Sequence, residues 1–159
     1  MFLNKRKAIF LTSIFLIVFL LTINDIKSQE LKIVDGDTIH LNDEKIRFIG
    51  IDTPELKQTC NKQGIKDYCG ATAKKILIDK IGSKTVECIS QGKDQYKRTL
   101  AECFVNNESL SSYLVRSGYA FAYRKYSKKF IEDEDYAKAN QLGMWSMKFE
   151  YPWDYRKNN

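Results

Sequence analysis

The stretch RFIGIDTPE at residues 47–55 decides how this chain of 159 residues folds. Its apolar run predicts a buried strand, with an arginine at one end and two carboxylates at the other. Two further polar segments flank it in the sequence, DGDT at residues 35–38 and DQYKR at residues 94–98. Carboxylates suit a hard cation and arginines suit a phosphate, so we expect these three segments to meet at one cleft.

The apolar and turn patterns predict five strands and three helices after residue 28. Strands at residues 31–34, 38–41 and 45–51 form an antiparallel meander, and residues 84–91 and 98–105 form a hairpin. Helices are predicted at residues 70–81, 110–116 and 129–142, and they end at Gly82, Gly118 and Gly143. Short antiparallel strands that curl on themselves indicate an α+β domain, a five-stranded OB-fold β-barrel with three α-helices.

Residues 1–28 have the pattern of a signal peptide or a signal anchor. Three basic residues precede a mostly apolar run at residues 8–23, which is long for a signal and short for a spanning helix. We expect cleavage before Gln29, with retention as an anchor through residues 8–23 as the alternative. The domain at residues 29–159 is then exported, either periplasmic or secreted, and it meets the membrane only if the segment is not cleaved.

Four cysteines and a single histidine in an exported chain favour two disulfides over a zinc site. A hairpin centred between residues 95 and 96 places Cys88 opposite Cys103, within the reach of a disulfide. Cys60 and Cys69 then close a short polar loop. Buried free thiols are the alternative interpretation.

Each charged motif has an ordinary structural explanation when it is taken alone, as a turn, a helix start or a solvated strand residue. Together they supply what phosphodiester hydrolysis needs: an oriented water, a charge clamp on the phosphate and a Lewis acid. Glu55 would orient or deprotonate the water. Arg47 and Arg98 would clamp phosphate oxygens, while Asp37 and Asp52 would hold a calcium or magnesium ion. Neither Arg47 nor Glu55 needs to be in the core, so their substitution is expected to spare folding.

Three tyrosines lie beside basic residues, an arrangement that single-strand readers use to stack bases. Tyr96, Tyr123 and Tyr126 would stack bases or bond a terminal phosphate, and rim or core packing is an equal alternative. The net charge of +6 overstates that of the predicted domain, since residues 29–159 hold 22 basic and 19 acidic residues, a net charge of +3 that is compatible with an anionic partner.

The motifs VDGDT, RFIGIDTPE, DQYKR and LVRSGYAFAY leading to GMW resemble those of the staphylococcal nuclease (thermonuclease) family. The resemblance covers residues 31–147 and implies an OB-fold barrel with three helices. It also implies a calcium-dependent endonuclease that cleaves DNA and RNA, prefers single strands and leaves 3′-phosphate ends. It implies no protein partner. A non-catalytic single-stranded nucleic-acid-binding module of the cell envelope is the alternative.

The family's site residues transfer to this chain by their positions in these motifs. The resemblance assigns three catalytic residues: Arg47, Glu55 and Arg98. It assigns three Ca²⁺ ligands: Asp37, Asp52 and the backbone carbonyl of Thr53. Asp35 matches an acid near the metal. Lys97 stands where the family often has glycine, and a lysine is expected to fit this turn only if its φ is negative.

Overall fold

The structure is a computed structural model that describes residues 29–159; the predicted signal or anchor segment lies outside the described residues. The strands are β1 (Leu31–Ile33), β2 (Thr38–Leu41), β3 (Glu44–Phe48), β4 (Ile51–Asp52), β5 (Cys60–Lys62), β6 (Ile65–Asp67), β7 (Glu87–Lys93), β8 (Thr99–Val105), β9 (Glu108–Ser109) and β10 (Phe121–Ala122). The α-helices are α1 (Cys69–Ile81), α2 (Leu110–Arg116), α3 (Ile131–Ala139) and α4 (Pro152–Asn158), and a 3₁₀ helix spans Gly143–Ser146.

The main sheet has six strands and is mixed. Its order is β1-β2-β3-β8-β7, and β9 pairs with β8. The predicted meander and hairpin are confirmed, but β3 and β8 run parallel, with Ile46 opposite Thr99. The all-antiparallel prediction is therefore wrong at this pair, because α1 and β7 intervene and return β8 in the direction of β3. Within residues 29–159, β1 and β7 lie at the two ends of the sheet and do not pair with each other. The sheet is therefore open, and the predicted barrel is not observed as a closed one.

Two predicted helices are confirmed and a third is shorter than predicted. Helix α1 ends at Gly82, which has a φ of 55°, and α2 begins at Ser109, whose hydroxyl accepts a hydrogen bond from Ser112 N. Helix α3 stops before the predicted end at residue 142, since Gln141 adopts a left-handed φ of 51°.

Helix α4 was not predicted, although local signals for it exist. Tyr151 is extended, Pro152 occupies the first turn, Asp154 follows it, and two basic residues lie in the last turn. The described residues therefore contain four α-helices rather than three.

Both predicted disulfides are present in the structure, Cys88–Cys103 and Cys60–Cys69. Cys88 lies directly opposite Cys103 in the hairpin register, and a bulge between Ser90 and Gly92 then shifts the pairing by one residue. The bulge lies in the hairpin whose turn carries Arg98 to the cleft.

Two apolar clusters support the cleft. The larger cluster lies between the main sheet and helices α1 and α2. The smaller one surrounds Phe121, with Trp145, Tyr151 and Trp153 packed against it. Phe121 lies 5.1 Å from the Tyr151 ring and 6.0 Å from the Trp153 ring, so this cluster docks the C-terminal segment beside β10.

No helix among residues 29–159 has the length and hydropathy to cross a membrane.

Candidate active site

The three polar segments meet at a cleft of about 750 Å³. Eight of the nine residues predicted for catalysis, metal and substrate lie on its wall: Asp37, Arg47, Thr53, Glu55, Tyr96, Arg98, Tyr123 and Tyr126. The ninth, Asp52, is fully buried and lies behind the wall. The structure thus brings the predicted residues together, although it leaves their individual roles as predictions.

Asp37 is held in the turn before β2. Its Oδ2 accepts hydrogen bonds from Thr53 N at 2.9 Å and from Thr53 Oγ1 at 2.8 Å. The preceding Gly36 packs so closely that a Cβ there would lie 2.9 Å from Thr53 Oγ1. A glycine is therefore required where this turn touches the strand end, and that contact sets the position of Asp37.

Arg47 extends from β3 between two buried carboxylates. Its Nη1 pairs with Asp37, and its Nη2 donates to Asp52 Oδ1 at 2.9 Å. The arginine side chain is 18% exposed and the Asp52 side chain is not exposed at all. Burial lowers the pKa of Arg47, while the charge and hydrogen bond of Asp52 oppose that effect. Arg47 is therefore a fixed cation of the cleft wall.

Arg98 also lines the cleft, just before the strand β8 that pairs with β3, and its own turn holds it. Its Nε donates to Asp94 Oδ2 at 2.7 Å, and its backbone N donates to Asp94 Oδ1 at 2.9 Å. Burial would raise the pKa of Asp94, but the hydrogen bonds from Arg98 and from Tyr96 N lower it. Lys97 has a φ of 63°, so the expectation of a negative φ is wrong. The turn takes a left-handed lysine and still directs Arg98 to the cleft.

Arg156, on α4, is a site residue that the sequence reasoning missed. Its Nη2 donates to Asp52 Oδ2 at 2.6 Å, and its Nη1 donates to Glu55 Oε1 at 2.8 Å and to Asp52 Oδ1 at 3.2 Å. Partial burial would lower the pKa of Arg156, but its hydrogen bonds to Asp52 and Glu55 raise it. One guanidinium thus joins the strand-end carboxylate to the loop carboxylate.

The loop that carries Glu55 is supported from behind by Gln58, which the sequence reasoning also missed. Glu55 N donates to Gln58 Oε1 at 3.1 Å, and the fully buried Gln58 donates its Nε2 to Glu150 O at 2.7 Å. Helix α1 packs on the same loop, because a Cβ at Gly70 would lie 1.8 Å from Glu55 O. The backbone at Glu55 is therefore well defined, while its side chain remains 44% exposed.

The three predicted tyrosines line the cleft in different ways. Tyr96 is 70% exposed and Tyr126 is 65% exposed. Tyr123 contacts Tyr126 edge-on at 4.9 Å and stacks on Trp153 at 5.9 Å. Exposed rings beside arginines are available to bases, whereas Tyr123 also has a packing function.

The possible metal ligands of the cleft are carboxylate and carbonyl oxygens, the ligand type that Ca²⁺ prefers. The acid cluster has four carboxylates and no histidine or cysteine: Asp35, Asp37, Asp52 and Glu55. Arg47 and Arg156 neutralise two of these charges, and a divalent cation would neutralise the other two. From the part of the chain that the structure describes, Asp52 Oδ2 accepts a single hydrogen bond, from Arg156, and so retains an acceptor site. Among residues 29–159, no group of three or more His, Cys, Asp or Glu side chains is arranged to hold a metal ion. The set of Ca²⁺ ligands therefore stays a prediction.

Arg156 and Gln58 escaped the sequence reasoning for the same physical reason. Each contacts a residue that is distant in the sequence. Arg156 and Asp52 are 104 positions apart, and Gln58 and Glu150 are 92 positions apart. Proline, an acid and two bases at residues 152–157 signal a helix, but they carry no information about the surface on which it docks.

This chain matches a family profile and also resembles individual known proteins in sequence. The family profile described as Staphylococcal nuclease homologue matches residues 45–147. An "Uncharacterized endonuclease" of Haemophilus influenzae is 30% identical over 151 residues, which cover 89% of this chain and 80% of that protein. An "Uncharacterized endonuclease" of Escherichia coli is 28% identical over 84% of this chain and 88% of its own length. "Probable staphylococcal-like nuclease CAN3" of Oryza sativa is 31% identical over 72% of this chain but only 29% of its own length.

Proposed function

Because this chain belongs to the staphylococcal nuclease homologues and is a nuclease, we propose that it is a calcium-dependent endonuclease of DNA and RNA that prefers single strands. One observation carries the proposal. Arg47 on β3 and Arg98 in the β7–β8 turn line a single cleft together with Glu55. A phosphodiester between the two guanidiniums would present its phosphorus to a water beside Glu55.

The two arginines bind and stabilise the phosphate. Each guanidinium offers a fork of donors that matches phosphate oxygens, and preorganised donors stabilise the additional charge of the pentacoordinate state. Arg47 is held by buried carboxylates and needs no reorganisation. Arg98 keeps its Nη atoms for the substrate, because Nε makes its contact with Asp94.

Glu55 orients the attacking water and accepts its proton. Its side chain is exposed to the cleft, whereas Asp37 and Asp52 are buried and paired with arginines, so of these three carboxylates Glu55 is the one that a water can reach. Asp37, Asp52 and the Thr53 carbonyl would hold Ca²⁺, which supplies Lewis-acid stabilisation of the phosphate when bound.

Single strands are favoured by the aromatic wall. Tyr96 and Tyr126 expose ring faces beside Arg98 and Lys125, and an unpaired base offers a face for stacking that a duplex conceals. The two disulfides fit an oxidising environment, and we propose export with cleavage before Gln29, or anchoring through residues 8–23. Sequencing the N-terminus of the mature protein distinguishes the two.

The test is the release of acid-soluble nucleotides from denatured DNA by the purified domain, with Ca²⁺ and then with a chelator. We expect cleavage that the chelator abolishes. Glu55→Gln should lower turnover by on the order of 10²–10³, the size expected for a central charged group. Glu132→Gln, an exposed change of the same type on α3, should cut like the wild type.

Two results would contradict the proposal. Full activity of Glu55→Gln would remove the assigned role of Glu55. Binding of denatured DNA without any cleavage would support a non-catalytic binding module instead.

A further inference from the structure

The C-terminal segment, residues 148–159, lies beyond the residues that the family profile matches, yet it forms part of the cleft wall. It is firmly docked. Asn61 and Lys148 exchange two backbone hydrogen bonds of 2.8 Å, and Gln58 donates to Glu150 O. Trp153 stacks on Tyr151 at 4.6 Å and on Tyr123 at 5.9 Å. Helix α4 therefore presents its side chains from a defined position.

Glu55 needs a partner to remain in the cleft. Its side chain is 44% exposed and has several rotatable bonds, so it is free to adopt other rotamers. The nearby Asp52 is a like charge that would repel the Glu55 carboxylate. Arg156 contacts both groups with one planar guanidinium and so replaces a repulsion with two attractions.

Lys157, the next residue, shows that this arrangement is specific. It is 72% exposed, and its one ion pair within residues 29–159 is with Asp154 on its own helix, at 2.9 Å. Two adjacent cations on α4 thus have different environments, and only Arg156 reaches the cleft.

We propose that Arg156 is a positioning residue for phosphodiester cleavage, which holds the Glu55 carboxylate beside Asp52 in the orientation that directs the attacking water. This inference rests on the proposed function and on the role of Glu55 given there. It makes residues 148–159 part of the working active site.

The first experiment measures kcat and KM on denatured DNA at saturating Ca²⁺. Arg156→Gln is expected to lower kcat by about 10- to 100-fold, because small misplacements of a reacting group have effects of this size, and to leave KM within about threefold. Arg156→Lys should recover part of the loss, since it keeps the charge but not the fork. Lys157→Gln is the matched control and should behave like the wild type.

The second experiment is a double-mutant cycle with Glu55→Gln. If Arg156 acts through Glu55, adding Arg156→Gln to Glu55→Gln should lower kcat no further. The unfolding free energies of the same four proteins in urea should show a favourable coupling between the two residues. This measurement does not depend on cleavage. It therefore shows whether the Arg156–Glu55 ion pair, here called the bridge, exists in solution even if the nuclease proposal is wrong.

Four results would overturn the inference. An additive loss of kcat in the double variant would mean that Arg156 acts independently of Glu55. A raised KM at unchanged kcat would make it a direct substrate ligand. Equal activity of Arg156→Gln would mean that the guanidinium has no part in cleavage, and higher activity would make it a competitor of the metal. Absence of coupling in the unfolding cycle would exclude the bridge itself.

Discussion

Arg47 and Arg98 line the same cleft, but the two regions that carry them are built differently. Arg47, on β3, is held by Asp37 in the turn before β2 and by Asp52 on β4, and both carboxylates are buried. Arg98, at the end of the β7–β8 turn, is held by Asp94 four residues earlier. One arginine is held between two fully buried carboxylates and the other by one carboxylate of its own turn. The difference predicts that equal losses of activity will accompany unequal losses of stability.

The largest effect is expected for Arg47→Ala. The substitution removes a phosphate donor and should lower kcat/KM by on the order of 10²–10³. It also leaves two buried carboxylates without their shared cation, so the unfolding free energy should fall by about 3 kcal/mol. The environment of Arg47 therefore corrects the expectation that its loss would spare folding. Urea unfolding and the nuclease assay measure the two effects.

Arg98→Ala is the matched comparison. It should lower kcat/KM by a similar factor, yet it should change the unfolding free energy by less than about 1 kcal/mol, because its partner lies in a surface turn. If both variants lost the same stability, the distinction between the two regions would be wrong.

The next effect concerns the hairpin that carries Arg98. Cys88→Ala with Cys103→Ala opens a link that spans 15 positions, and the unfolding free energy should fall by about 3 kcal/mol. Since Arg98 lies in the loop that this disulfide closes, activity at elevated temperature should fall more than activity at 25 °C. Urea unfolding of the wild type with and without reductant gives an independent value, and no change under reductant would contradict the prediction.

The smallest effect is expected for Lys97→Gly. Lys97 has a left-handed φ of 63°, which disfavours side chains with a Cβ, and glycine should raise the unfolding free energy by up to about 1 kcal/mol with unchanged cleavage. Lys93→Gly, in β7, is the control and should destabilise instead. A loss of activity in Lys97→Gly would mean that the lysine side chain, rather than the turn, contributes to the cleft.

Local patterns predicted much of the fold. Helix α2 and the opposition of Cys88 and Cys103 follow from capping and hairpin symmetry, which depend on neighbouring residues. The parallel pairing of β3 with β8 did not follow, because it depends on how α1 crosses the sheet. The shared wall of Arg47 and Arg98 was predicted from the chemistry that their motifs share, and the structure places both there.

The sequence by itself determined the chemical groups of the cleft, the family and the strand ends that carry each group, since motif spacing and hydrophobic period are local properties. Only the tertiary structure decided that Asp52 lies behind the wall and that Arg156 joins Asp52 to Glu55. These features arise from contacts between distant segments, where aromatic packing and paired charge offset the entropy of docking the C-terminal helix.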